Sequence, residues 1–400
     1  MKIVRSYGKQ ILKFSHAALG SILEEFNSPF NRKVISLKPE GPPRGHVLLS
    51  YRIELFSTKP GQPIPYYHYN RQLSVVMART FTDLGFAVDV ISNQNKSFLP
   101  KKKYDFFIDT RMNFERLAPH LNKDCIKILH ATTAHPHFNN FAETKRLLAL
   151  QERRNVTLRS RRFMEPSFAM AIEYADSVVV HCAFGVKNFN YANKPIYLVP
   201  NAVPYRYPWS DSKDFESCRF RFLWLGSEGM VHKGLDLVLE AFAGMPEYHL
   251  TVCGPVAREK DFEQAYFKEL YHTPNIHTRG WIDVESAEFM DLTNRCLGLV
   301  YPSCSETNAG SVLTSLHAGL IPIISYESGV DVSKEEGVVL EDCSIEAIRE
   351  AVRQTSSRST QELRRMSRKS WEFAQENHMV NNFEKKYRDV IEKLISEYKK

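Results

Sequence analysis

An α/β fold of two parallel-sheet halves is what this sequence predicts, on three observations. From Gly45 onward, short apolar runs of strand length alternate with helix-spaced stretches, the pattern of parallel strands joined by crossover helices. The alternation breaks once, at PNAVPYRYPWSDSKD (200–214), a stretch of Pro, aromatic and polar residues that reads as a linker, and then resumes. The composition, 43% apolar and 25% charged over 400 residues, is that of a globular chain with room for two or three domains.

In the first half HVLLSYRI (46–53) is the opening strand, and Gln72–Leu84 is a helix stopped by Gly85. FAVDVIS (86–92), YDFFIDT (104–110), IKILHAT (126–132), SVVVHC (177–182) and PIYLVP (195–200) are short runs suited to buried strands. The second half repeats the scheme. RFRFLWLG (219–226), YHLTVCG (248–254), NIHTRGW (275–281), LGLVYPS (297–303) and IPIIS (321–325) are strands, with helices at Leu235–Phe242 and Ser286–Asn294. Ile345–Thr355, Thr360–Asn377 and Asn382–Lys399 are helical, the last with a stripe of Phe383, Tyr387, Val390, Ile391 and Leu394. Two Rossmann-like halves result, and a cleft between such domains is the usual place for a ligand.

Charge is uneven. Of the net +7, residues 1–40 hold +4, and Lys2, Arg5, Lys9 and Lys13 share one side of a helix opposite Ile3, Tyr7, Ile11, Phe14, Ala18 and Ile22. Such a helix packs on the protein's own surface or lies on anionic lipid. Lys9 and Lys13 interrupt any signal-peptide core. The modest charge excess without a recognisable motif argues against nucleic acid. Seven scattered cysteines without a C-x-x-C pair exclude a zinc ribbon or disulfide framework and suit a reducing cytosol. No apolar run is long enough to span a bilayer.

Two loops carry the chemistry. YPSCSETNAGSVLTSLHAGLIPIIS (301–325) runs from a strand through a small polar loop into a helix, and the amides near Asn308, Ala309, Gly310 and Ser311 face an anion there. Thr314 lies one turn further on the same face, and Glu306 stands before the helix, where a polyol can hydrogen-bond to it. The plain alternative is that Ser303–Asn308 caps a helix. FLWLGSEGMVHKGLDLVLEAF (222–242) repeats strand, Gly226, polar loop and helix, with Lys233 at the turn; a cation there neutralises a diphosphate or is simply solvated. G-x-x-x-x-G-K-[ST] is absent, and so is G-x-G-x-x-G after the first strand, which argues against a nicotinamide-dependent oxidoreductase.

Together these stretches resemble the retaining glycosyltransferases of family 4, which have the GT-B fold of two Rossmann-like domains facing a central cleft. The resemblance is carried by the two loops, by NIHTRGWIDVESAEFMDL, and by Gly319 and Pro322 in register. In the first half KILHATTAH, ADSVVVHCAFGVKNF and YLVPNAV follow in the family's order. It runs from about residue 45, after the basic amphipathic extension at 1–44, and implies an acceptor-side domain at 45–205, a nucleotide-sugar domain at 206–375, and a last helix at 376–400 crossing back. It also implies transfer of a hexose-type sugar from a UDP- or GDP-sugar, with retention and without metal or other cofactor, to a glycan or lipid-linked saccharide in cell-surface polysaccharide synthesis. The enzyme would be cytoplasmic, docked on the membrane's cytoplasmic face through residues 1–26.

By the same resemblance Lys233 and the amides of Ala309, Gly310 and Ser311 hold the leaving diphosphate, beside Gly226 and Ser227. Asn308 belongs to the same donor site, Glu306 holds hydroxyls of the donor sugar, the backbone at Trp281 and Ile282 edges the base, Thr314 bonds the ribose, and His135 reaches the sugar. His135 alone reads equally as a satisfied strand-end histidine, and a metal site with His130 and His137 lacks a carboxylate or Cys at ligand spacing. Tyr66, Tyr67, His68 and Tyr69 follow the first strand and stack on acceptor rings or on the surface. Four departures stand out: Ser227 replaces the family's Arg, Thr314 its second Glu, Asn201-Ala202 its Asn-Gly, and PGQPIPYYHYN (60–70) its Gly-rich loop. They leave open a second reading, a non-catalytic nucleotide-sugar-binding or scaffolding homologue.

Overall fold

A computed structural model describes residues 32–57, 70–205 and 207–398. The amphipathic stretch 1–26 and the aromatic loop with Tyr66, Tyr67, His68 and Tyr69 lie outside the described residues. The chain divides into two units: residues up to His130 with Glu173–Asp176, and Ala131–Ile172 with the residues from Ser177 on.

In the first unit the strands β1 (Val34–Leu37), β2 (His46–Tyr51), β3 (Ala87–Ser92), β4 (Phe106–Asp109) and β5 (Ile126–His130) run in the order β1-β3-β2-β4-β5. All neighbours are parallel except β1, which pairs antiparallel with β3. Helix α1 (Asn70–Asp83) buries Leu73, Val76, Met77 and Phe81, the helical spacing that the sequence shows. It ends at Gly85, whose φ of 86° lets the Phe86 amide bond the Phe81 carbonyl at 3.0 Å. Phe81, Phe86 and Phe106 then meet with ring centroids 5.4 to 6.1 Å apart. At the strand ends, buried Asp109 accepts from the Ser50 hydroxyl and from the amides of Arg111 (2.8 Å) and Asn113 (3.0 Å).

In the second unit β6 (Ser177–Val180) and β7 (Ile196–Leu198) pair in parallel. β8 (Arg221–Leu225), β9 (His249–Cys253), β10 (Ile276–Gly280), β11 (Gly298–Tyr301), β12 (Ile321–Ser325) and β13 (Val338–Leu340) form an all-parallel sheet in the order β10-β9-β8-β11-β12-β13. β11 and β12 are buried at every residue, which is why both read as unbroken apolar runs.

Among the described residues this unit has eight helices of seven residues or more. They are α2 (Pro136–Arg154), α3 (Ala183–Phe189), α4 (Leu235–Ala243), α5 (Ala287–Asn294), α6 (Gly310–His317), α7 (Ile345–Ser356), α8 (Thr360–Asn377) and α9 (Val380–Tyr398). α9 buries Phe383, Tyr387, Ile391 and Leu394. The chain entering α9 is tied back to the stretch after β7: the Val203 amide donates to the His378 carbonyl at 3.1 Å, and Lys393 Nζ lies 5.3 Å from the Tyr197 ring centroid. Among the described residues no helix is long and apolar enough to cross a membrane.

Candidate active site

β8 ends at Gly226, whose amide is held by the Cys253 carbonyl at 2.9 Å; the Gly254 amide in turn bonds Gly280 at 2.8 Å. The carboxyl ends of β8, β9 and β10 are thereby tied side by side. The loop from Ser227 to Gly234 is fastened at several points. Glu259 accepts the amides of Gly229 and Met230, and the Trp224 indole donates to the Lys233 carbonyl at 3.3 Å. The His232 carbonyl accepts from the Cys304 amide (2.9 Å) and the Ser303 hydroxyl (3.1 Å), which joins this loop to the one after β11. Gly234 has φ 74°, and a Cβ there would stand 2.5 Å from the Pro302 carbonyl oxygen, so a side chain has neither the backbone nor the room.

These anchors aim Lys233 at Glu306. The two side chains form an ion pair, 6% and 15% exposed, and the Lys233 ammonium also donates to the Tyr301 hydroxyl at 3.1 Å. Burial alone would raise the Glu306 carboxyl, but Lys233 and then Arg162 hold it down at about 2. Lys233 moves the opposite way from an ordinary salt-bridged lysine. Burial drives its pKa down, Glu306 opposes this, and Arg162 adds to it. Arg162 lowers both groups, which favours the charged carboxylate and opposes the charged ammonium. Glu306 is well compensated and Lys233 is not. Burial also pushes His232 down to about 4, so it is neutral at pH 7.

At the start of α6 the structure corrects one expectation. The Ala309 amide is bonded to the Ser328 carbonyl at 3.0 Å, and is therefore spent on the chain rather than left for a phosphate. Asn308, with φ 135°, likewise turns its side-chain amide to the Gly329 carbonyl at 2.9 Å. The amides of Gly310 and Ser311 have no protein acceptor among the described residues, and both residues are half-buried. Thr314 is buried one turn on. Ser227 is exposed; Trp281 is 63% exposed, while Ile282 beside it is buried. His135 caps α2: its Nδ1 accepts from the His137 amide at 3.3 Å, its Nε2 is 3.3 Å from the Tyr191 hydroxyl, and Phe189 packs edge-on. Among the described residues no three His, Cys, Asp or Glu side chains gather as a metal-ligand set.

Sequence reasoning missed the group that buttresses this site. α2 buries Asn139, Glu143 and Arg146 instead of an apolar stripe. Glu143 accepts from the Ser160 hydroxyl and the Arg161 amide (both 2.9 Å) and from the Arg162 amide (2.9 and 3.1 Å). Asn139 donates to the Arg162 carbonyl at 2.8 Å, and Arg146 donates to the Pro302 carbonyl at 3.1 Å. The sole hint in the sequence is RSRRF (159–163), a basic run that otherwise reads as solvated loop.

No family model matches this chain, and no curated protein matches it. Solved structures do. Sucrose-phosphate synthase from Thermosynechococcus elongatus is similar with a TM-score of 0.63 at 13% identity, over 88% of this chain and 100% of that one. Anabaena HepE in complex with UDP gives 0.56 at 13% identity over 88% and 100%. A mutant of S. aureus TarM with UDP gives 0.52 at 13% identity over 71% of this chain, which spans only 54% of that longer one. Likeness of this kind at such identities concerns architecture, and the chain has the GT-B fold, an α/β fold with two parallel-sheet domains.

Proposed function

We propose that this chain is a retaining glycosyltransferase of the family 4 type, moving a hexose from a nucleoside-diphosphate sugar to a glycan or lipid-linked saccharide in cell-surface polysaccharide synthesis. One observation carries the reading: Lys233 from the loop after β8 pairs with Glu306 from the loop after β11, and that second loop leads into the amides of Gly310 and Ser311, which have no protein acceptor among the described residues. Breaking a glycosyl phosphate builds negative charge on the leaving diphosphate, so preorganised donors at that charge are the main catalytic contribution. Lys233 and the two amides supply them, with no metal required. Glu306 takes sugar hydroxyls, Thr314 the ribose, the backbone at Trp281 and Ile282 the base; His135 orients the sugar. Tyr66, Tyr67 and Tyr69 receive the acceptor, and residues 1–26 dock a cytoplasmic enzyme on anionic lipid. HepE and TarM were each solved with UDP, which supports a UDP-sugar donor here.

The test is nucleotide release from UDP-glucose, UDP-N-acetylglucosamine and GDP-mannose with saccharide acceptors, with and without EDTA, and product anomers assigned by NMR. Turnover that survives chelation, yields the retained anomer and is crippled in folded Lys233→Ala and Glu306→Ala supports the reading. Normal turnover by both variants places the site elsewhere. The closed Lys233–Glu306 pair favours one second reading, a non-catalytic binding subunit, which tight donor binding without turnover would establish.

A further inference from the structure

We infer that Arg162 is the second cation of the diphosphate seat, delivered by the loop after α2 to a site where Ser227 supplies none. The inference rests on the reading of that site as one for a nucleoside diphosphate. Arg162 is fixed at its backbone, through Glu143 and Asn139. Its stem lies on the Lys233 loop: a Cβ placed on Gly229 would stand 2.8 Å from Arg162 Cγ and 3.1 Å from Cδ. The guanidinium is close enough to act electrostatically on Glu306, Lys233, His232 and Tyr301. It makes no ion pair or side-chain hydrogen bond of its own among the described residues. Other arginines on the same unit do: Arg153 pairs with Asp236 at 2.8 Å and Arg154 with Glu269 at 2.7 Å.

Charge then decides what ligand suits the cluster. Lys233 and Arg162 meet Glu306 beside a His232 that burial keeps neutral at pH 7, and Glu143 is already spent on the Ser160 hydroxyl and the amides of Arg161 and Arg162, so the groups left to meet a ligand carry more positive than negative charge. A diphosphate brings at least two negative charges and planar oxygen pairs that a guanidinium binds through two donors. An aliphatic alcohol or neutral sugar would leave the excess charge as it is.

The experiment is calorimetric titration of wild type, Arg162→Ala and Arg162→Lys with UDP, UMP and uridine, with GDP and ADP as alternative diphosphates. Arg162→Ala is expected to weaken UDP about 10- to 100-fold, UMP less and uridine not at all, with Arg162→Lys in between. A merely structural arginine would not change the gain in affinity from UMP to UDP. The inference falls if folded Arg162→Ala keeps wild-type UDP affinity, or if UDP, UMP and uridine weaken equally. Should wild type bind none of the three diphosphates, the reading of the site falls with it; binding that ignores Arg162 removes only the inference.

Discussion

Replacing Glu306 with Gln keeps the shape of the side chain and removes its charge, so it isolates what the carboxylate does for Lys233 and Arg162. The folded carboxyl titrates at about 2 against an ordinary 4.5, a difference equivalent to about 3 kcal/mol. Lys233 subtracts from this, because its own charge is disfavoured by burial. The expected loss on Glu306→Gln is therefore about 2 to 3 kcal/mol at pH 7, on the low side for breaking a buried pair. Urea unfolding followed by tryptophan fluorescence suits the measurement, since Trp209, Trp224, Trp281 and Trp371 all belong to the second unit. The sign with pH is fixed by the depressed folded value. The wild-type advantage is complete above the unfolded pKa of about 4.5 and disappears as pH falls through about 2. It should persist from pH 7 to pH 5 and more than halve by pH 3. Equal stabilities at pH 7, or a gap that stays constant down to pH 3, would refute the reasoning.

Two further outcomes follow from the buttress. Gly229→Ala puts a side chain at φ 95° and against the Arg162 stem; it should cost about 1 to 2 kcal/mol in urea and also weaken UDP in titration, where strain alone would change only the first. Glu143→Ala removes the acceptor of four hydrogen bonds from residues 160–162, so trypsin should cut at Arg159 and Arg161 several-fold faster, as read by mass spectrometry; an unchanged cleavage pattern counts against the clamp.

What the sequence reveals depends on which physical signal each element uses. β11, β12 and α9 are legible because their burial is apolar and periodic. α2 is not, although it has 19 residues, because three of its buried positions are Asn139, Glu143 and Arg146, and hydrophobic periodicity is blind to a polar stripe. β1 and β13 are short and partly exposed, with no run to detect. At the site, strand-loop-helix chemistry singles out Lys233 and Glu306 separately. Their pairing is a contact across 73 positions, and so depends on the loop register that His232, Ser303 and Cys304 lock. The bond of the Ala309 amide is hidden from the sequence for a related reason: its acceptor, Ser328, lies in the turn after the next strand.

Buried polar clusters close two sets of strand ends in this protein, and they differ in a way that separates architecture from chemistry. In the first unit Asp109 is answered by a hydroxyl and two backbone amides. Burial raises the Asp109 pKa in spite of the hydroxyl, the two amides and Arg111, so protonation is its natural relief. In the second unit burial presses instead on a lysine that already has a carboxylate partner, and Arg162 adds to the pressure. Deprotonating Lys233 would relieve it, but so would an arriving anion, and only the anion also answers the Gly310 and Ser311 amides. On the proposed reading, a cluster that gains this much from one class of ligand, and whose loops are held by Glu143 and Glu259, serves binding as well as stability.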